Sequence, residues 1–393
     1  MAGVFATQRD SFGVRSNDRF FEPVDSMDVN DRRTLMQAYS KGMPARILLV
    51  LTIVILVQGL VRPAQSRTSR TEMQPVPLNE EAYVRIGGIE QWITIKGENK
   101  RNPVVLFLHG GPGDAWSPFA ESEFGAWEHE FNLVQWDQRG AGRTFAKSGP
   151  SIEPTMTLDR MVQDGIEVSE YLIKHLGQRK IILVGASWGS ILGIYMAKQR
   201  PDLFYAYIGM AQVVNLRASQ AESYRQVLER ARAAGDQAAV TTLETIGPPP
   251  WNSIRQWPVF RKVLLPYQAK RVTAASPPMR LEPEYDSPSE QAQRSDADDL
   301  SFVHFVGLTM DGPLEQIDLP ALGTDFAVPV YIIQGQEDLS APPELARAYF
   351  ESIRAPRKRF ATVPGTGHES SVPQLDLARE VLREEGERIR RAP

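Results

Sequence analysis

Beyond residue 80 the chain repeats one theme. A short, nearly continuous apolar run gives way to a longer stretch in which apolar positions recur every three or four residues. Runs of that kind suit strands buried on both faces, and the intervening period suits helices that cover them, so the pattern predicts an α/β fold with a largely parallel sheet. The runs place strands at 83–86, 92–95, 104–108, 133–136, 181–184, 205–210, 328–333 and 359–363. Residues 213–324 break the alternation. Tyr224, Val227, Leu228 and Ala231 recur there at helical spacing, with breakers at 247–250, and this predicts a helical lid inserted after the sixth strand. The core then comprises 80–212 and 325–393, and its last run, 375–391, reads as a charged helix packed on the sheet. The lid's aromatics include Tyr224, Trp251, Trp257, Phe302 and Phe305, expected to divide between the lid's own core and a substrate pocket, with Tyr224 and Trp251 as candidate pocket residues.

The amino end departs from this pattern. Residues 1–42 are polar and expected to be disordered, whereas 47–57 are apolar except for Thr52, with Arg46 before and Arg62 after. A bilayer span needs about 20 residues, so the length suits the core of a signal peptide more closely; a buried core helix is the alternative. No A-x-A cleavage site follows, Pro63-Ala64-Gln65 being a poor match, so 43–62 reads as an uncleaved signal-anchor or signal-peptide helix and 63–79 as a polar linker. Arg32, Arg33, Lys41 and Arg46 precede the run, which predicts a membrane tether with the folded portion on the exported side. Secretion or release to the periplasm after cleavage is the alternative, with Met43 a possible start.

Composition removes several classes. With 42% hydrophobic residues, the 393-residue chain has ample material for a large core, and a net charge of −4 gives no electrostatic case for nucleic acid. The absence of cysteine rules out a thiol nucleophile, a Cys-ligated zinc and any disulfide framework.

Gly185-Ala186-Ser187-Trp188-Gly189 follows the fifth apolar run directly and precedes a helix-like stretch at 191–198. A serine hydroxyl is a weak nucleophile until it is lifted out of the fold and offered to a base. A sharp strand-to-helix turn does this and tolerates only small residues two positions to either side, which Gly185 and Gly189 supply. Ser187 is the candidate nucleophile; a surface turn carrying a serine by accident would not need that context. Five histidines compete for the base. His109 lies in a glycine-rich loop, His129 and His175 in expected helices, and His304 in the lid. His368, in Pro364-Gly365-Thr366-Gly367-His368-Glu369 after the last expected strand, is the candidate. A carboxylate that orients its ring should follow the penultimate strand, where Asp338 is the first choice and Glu337 the alternative. His109-Gly110-Gly111-Pro112-Gly113 follows the third strand, where donors to an oxyanion arise, and the N–H groups of Gly111 and Trp188 form the candidate pair. The glycine spacings of a phosphate cradle are absent.

Eight strands with this turn after the fifth and an insertion after the sixth resemble the α/β-hydrolase fold. Three motifs narrow the resemblance: His109-Gly-Gly-Pro-Gly113, Asp137-Gln-Arg-Gly-Ala-Gly-Arg-Thr144 and Gly185-Ala-Ser-Trp-Gly-Ser190 are similar to the signature set of the proline iminopeptidase branch, serine peptidase family S33. The likeness covers roughly residues 80 to 390. It implies Ser187, Asp338 and His368 as a catalytic triad, Gly111 and Trp188 as the oxyanion hole, no metal or organic cofactor, and release of an amino-terminal residue, often proline, from short peptides. Ala141 and Thr144 replace the family's usual cysteine and serine. Family peptidases also hold the substrate's ammonium with lid glutamates, one of them in a Trp-Glu context. This lid has no Trp-Glu pair, Trp127-Glu128 lying before the serine turn, and it offers Glu222, Glu229 and Glu244 instead. Asp137 and Arg139 are expected to cap a turn and to pair with a carboxylate rather than to touch substrate.

Three functions follow from these residues: an aminopeptidase on short peptides, an esterase, lactonase or amidase on a small neutral acyl substrate, and an inactive membrane-tethered binding module. An aspartate nucleophile, as in epoxide hydrolases and haloalkane dehalogenases, is disfavoured by Ser187.

Overall fold

The computed structural model describes residues 76–391. Its strands are β1 (Leu78–Ile86), β2 (Ile89–Gly97), β3 (Val104–Leu108), β4 (Asn132–Trp136), β5 (Ile181–Ala186), β6 (Phe204–Met210), β7 (Val330–Gly335) and β8 (Lys358–Val363). They form one sheet in the order β1-β2-β4-β3-β5-β6-β7-β8. β2 pairs antiparallel with β1 and with β4, and the remaining neighbours are parallel. The sheet is the expected eight-stranded, mostly parallel α/β-hydrolase arrangement. β1 begins at Leu78, inside the stretch expected as linker. The charged residues Glu80 and Glu81 hid it from a search for apolar runs, yet an edge strand needs to bury only one face.

Alternation within the strands divides the core in two. Val104, Leu106 and Leu108 of β3 join one apolar cluster, with Met161, Val162 and Ile166 of α3 (Leu158–Leu176) and with Ile191 and Ile194 of α4 (Trp188–Gln199). Val105 and Phe107 join the other, with Phe124 of α1 (Ala120–Phe124) and with Leu375, Ala378 and Leu382 of the C-terminal helix (Val372–Arg391). Helices thus cover both faces, and the charged C-terminal run packs on the sheet.

Between β6 and β7 stand α5 (Leu216–Ala233), α6 (Gln237–Ile246), α7 (Gln256–Ala269) and α8 (Pro288–Val306), which form the helical lid. Asn215, Asp236 and Ser287 cap α5, α6 and α8 by accepting a backbone N–H in the first turn. α8 reaches back onto α2 (Gly142–Ser148) of the core.

No helix among the described residues is long and apolar enough to cross a membrane. This corrects the expectation of a membrane partner and of a tethered, exported location. That expectation rested on an apolar run at 47–57 that falls well short of the roughly 20 residues a bilayer needs. The expected disordered segment 1–42, the signal-anchor helix 43–62 and residues 63–75 of the linker lie outside the described residues.

Candidate active site

The chain leaves β5 at Ala186 and enters α4 at Trp188 with Ser187 alone between them, at φ 51° and ψ −118°. A serine held at positive φ is strained, and the surroundings enforce it. Ser187 N–H donates to the carbonyl of Met210 at 3.1 Å. A Cβ at Gly185 would collide with the carbonyl of Gly189, and one at Gly189 with the carbonyl of Leu108. The helix therefore packs against the ends of β3 and β5 at a distance that only glycine permits.

Two further strand ends bring the remaining members of the constellation together. The loop after β7 supplies Asp338, which is buried, and the loop after β8 supplies His368. His368 Nδ1–H donates to Asp338 Oδ2 at 2.9 Å, and Ser187 Oγ lies 3.0 Å from His368 Nε2. A carboxylate only accepts, so the ring carries its proton on Nδ1 and leaves Nε2 free to receive the serine proton. Asp338 also accepts from the N–H groups of Ser340 at 2.8 Å and Ala341 at 2.7 Å, and from Gln334 Nε2 at 3.1 Å. Burial opposes a charged His368, but the Asp338 carboxylate more than offsets it, and the imidazole sits above its ordinary value. Glu337 turns elsewhere and pairs with Arg271 at 2.7 Å.

The other histidines are occupied away from Ser187. His129 lies in a turn rather than a helix and pairs with Glu98; His175 pairs with Glu80, and His304 meets the Met156 carbonyl. His109 is buried, donates from Nδ1 to the Gly110 carbonyl and accepts the Gln138 N–H at Nε2; burial lowers it to about 4, so it is neutral. Gln138 in turn donates to the His109 carbonyl and accepts Trp188 Nε1–H at 2.9 Å. One side chain from the second motif thus ties the glycine loop to the serine turn. Gly111 lies in that loop at φ 101°, and among the described residues neither its N–H nor that of Trp188, the first residue of α4, has an acceptor.

Asp137 accepts from Ser117 Oγ at 2.5 Å and from the Arg143 N–H at 2.8 Å, and burial pushes it up to about 6. Arg139 makes a buried double hydrogen bond to Asp164 at 2.8 and 3.2 Å and reaches Thr155 and the Gly87 carbonyl. Both side chains hold loops, as expected.

A cavity of about 660 Å³ opens over Ser187, Trp188, Gly111 and His368. Val213, Leu216, Trp257, Phe302, Met310 and Leu314 supply apolar wall, much of it from the lid. Tyr224 and Trp251 instead pack in the lid's own interior, hydrogen-bonded to the carbonyls of Leu243 and Gly247. Glu222 and Glu229 pair with Arg225, and Glu244 pairs with Arg232; Glu222, Tyr224 and Trp251 do not line the cavity. Its carboxylates are Asp114, Glu123, Asp298 and Glu369, all unforeseen. Two of them adjoin a motif, Asp114 following the glycine loop and Glu369 following His368, and that adjacency was the available signal. Among the described residues no group of three or more His, Asp and Glu is arranged to hold a metal ion.

The α/β-hydrolase fold model matches residues 103–373. The chain is similar to a "Probable aminopeptidase YbaC" of Bacillus subtilis (strain 168), 28% identical over 292 residues, which is 74% of this chain and 91% of that one. It is also similar to a proline iminopeptidase of Lactobacillus delbrueckii subsp. bulgaricus, 25% identical over 307 residues, 77% of this chain and 96% of the relative. Among solved structures, a proline iminopeptidase of Mycobacterium smegmatis shares the fold with a TM-score of 0.54 at 19% identity, covering 79% of this chain and 100% of that chain. The likeness read from three short motifs therefore extends along most of the chain.

Proposed function

The chain belongs to the α/β-hydrolase family, and from that premise we propose that it is a serine hydrolase working through an acyl-enzyme, an aminopeptidase that releases the amino-terminal residue of short peptides. The observation that carries this reading is the Asp338–His368–Ser187 chain of hydrogen bonds at the base of the cavity. His368 takes the Ser187 proton as Oγ attacks the scissile carbonyl, and Asp338 holds the ring and stabilises its charge. The N–H groups of Gly111 and Trp188 receive the oxyanion, and the latter opens a helix whose N-terminal dipole favours negative charge. His368 then protonates the leaving amine, and water repeats the sequence on the acyl-enzyme.

Peptide specificity is favoured by the relatives, which carry the names aminopeptidase and proline iminopeptidase. The cavity volume of about 660 Å³ falls in the range of roughly 300–1,000 Å³ typical of sites for drug-sized ligands, so there is room for more than a single residue. One observation favours an esterase or amidase instead: the lid glutamates Glu222, Glu229 and Glu244, which the resemblance offered for the substrate's ammonium, are engaged by arginines. The intact hydrogen-bond chain argues against an inactive binding module.

The test is turnover of a prolyl arylamide and a short-chain aryl ester, with Ser187→Ala as control. Cleavage of the arylamide that stops when its amino terminus is blocked supports the aminopeptidase. Ester cleavage alone keeps the serine hydrolase and removes the peptidase, and activity that survives Ser187→Ala removes both.

A further inference from the structure

The cavity wall beside His368 carries carboxylates that acyl transfer does not use. Glu123, on α1, is 9% exposed, borders the cavity, and leaves Oε1 without a hydrogen-bond partner. Ser370 stands beside the same carboxylate, and the charges that act on it are those of Asp114 and Glu369, both negative and both on the cavity. Asp298 is raised by burial and by Asp299, but two arginines oppose this, Arg294 and Arg261, the latter also lining the cavity. A desolvated carboxylate among like charges is unfavourable, and burial together with these neighbours raises Glu123 above its ordinary value. Burial pushes Asp114 up to about 6, with Asp298 and Glu369 adding to it and Arg294 opposing. A ligand that brings a cation to these groups stabilises their charged form.

Placement indicates which part of the ligand brings it. His368 hands its proton to the leaving group, so the leaving group lies on the His368 side of Ser187. Glu369 directly follows His368 and its charge, opposed by that of Arg261, acts on that ring, while Ser370, the next residue, stands beside Glu123. Apolar residues instead meet the cavity where the chain leaves β6, at Met210, Ala211 and Val213.

Resting on the aminopeptidase reading, we infer that Asp114, Glu123 and Glu369 form a subsite for an organic cation on the leaving group: the ammonium or guanidinium of a lysine or arginine side chain in the residue after the scissile bond. The enzyme therefore selects peptides with a basic second residue.

The test uses the full chain and three substrates, prolyl-lysine amide, prolyl-norleucine amide and prolyl-glutamate amide, with kcat/KM read from released proline. Lysine exceeds norleucine by about tenfold or more, the scale of one charge-assisted hydrogen bond, and glutamate is slowest. The lysine-to-norleucine ratio collapses toward unity in Glu123→Gln and in Glu369→Gln, the second being an exposed position that tolerates the change without burying a mismatched group. Equal rates on lysine and norleucine in the unaltered protein overturn the inference, as does a ratio that survives both substitutions. Equal slowing of both peptides assigns the carboxylates to the substrate's own amino terminus and overturns it as well. If esters are cleaved and no peptide is, the aminopeptidase reading fails by itself, and the same ratio is then read from an aminoalkyl and an alkyl ester of one acid.

Discussion

Asp338→Asn alters one atom of the group that orients the proposed base without altering volume. The carboxylate faces donors only: His368 Nδ1–H at 2.9 Å, the N–H groups of Ser340 and Ala341 at 2.8 and 2.7 Å, and Gln334 Nε2 at 3.1 Å. The new NH₂ must therefore point at one of them. Both backbone N–H groups converge on Oδ1, and a donor turned toward them would leave buried N–H groups unsatisfied at about 1–3 kcal/mol each. The asparagine oxygen stays there, already engaged by both N–H groups although 3.0 Å from His368 Nδ1, and the amide faces the same ring nitrogen, so the ring then accepts at Nδ1 and carries its proton on Nε2. A protonated Nε2 donates to Ser187 and is unable to receive its proton. The wrong tautomer lowers kcat by about 10⁴ where the arrangement is a working triad, equivalent to about 5 kcal/mol. The assay is kcat on a chromogenic ester, with a thermal melt of the same preparations to establish that the fold survives. Turnover within about tenfold of the parent, alongside an unchanged melt, would refute the reasoning.

Further outcomes follow from the same geometry. His368 acts as a base only when neutral, and burial, which would lower it, is outweighed by Asp338; kcat/KM therefore rises with pH through an apparent pKa above the ordinary 6.5 and is lost as pH falls through it, and an acid limb at or below 6.5 contradicts this. Gly189→Ala drives a Cβ into the backbone carbonyl of Leu108, which has no side-chain freedom to yield, so the variant fails to accumulate as folded protein; a normal melt with normal turnover counts against the close approach. Asp164→Asn leaves the buried Arg139 without its charge partner, at about 3–5 kcal/mol, and lowers the melting temperature by about 5 °C or more; an unchanged melt contradicts the pairing.

The parts of the fold that announced themselves in the chain were those where local pattern and tertiary demand coincide. Val104 to Leu108 is apolar at every position because both faces of β3 are covered, and the run reads as a buried strand without help. Gly185 and Gly189 mark the serine turn because backbone there leaves no room for a side chain. His368 stands out among five histidines as the one after the last apolar run, and it meets Asp338 because the loops after two paired parallel strands are neighbours. Pattern failed where contacts join distant segments. Trp257 and Phe302 face the cavity while Tyr224 and Trp251 face the lid interior, and all four are aromatic residues of one insertion, so the difference lies in how its helices and the loop carrying Trp251 are turned. Asp114, Glu123 and Glu369 come from three separate loops and helices and share a wall only after the sheet has formed.

The central claim is that Ser187 carries the acyl group. Incubation with a fluorophosphonate, followed by intact-mass measurement and peptide mapping, tests it directly. The account predicts one adduct per chain, located on Ser187, absent in Ser187→Ala and accompanied by complete loss of turnover. An adduct elsewhere, or a Ser187→Ala variant that still turns over within about tenfold of the parent, would contradict it.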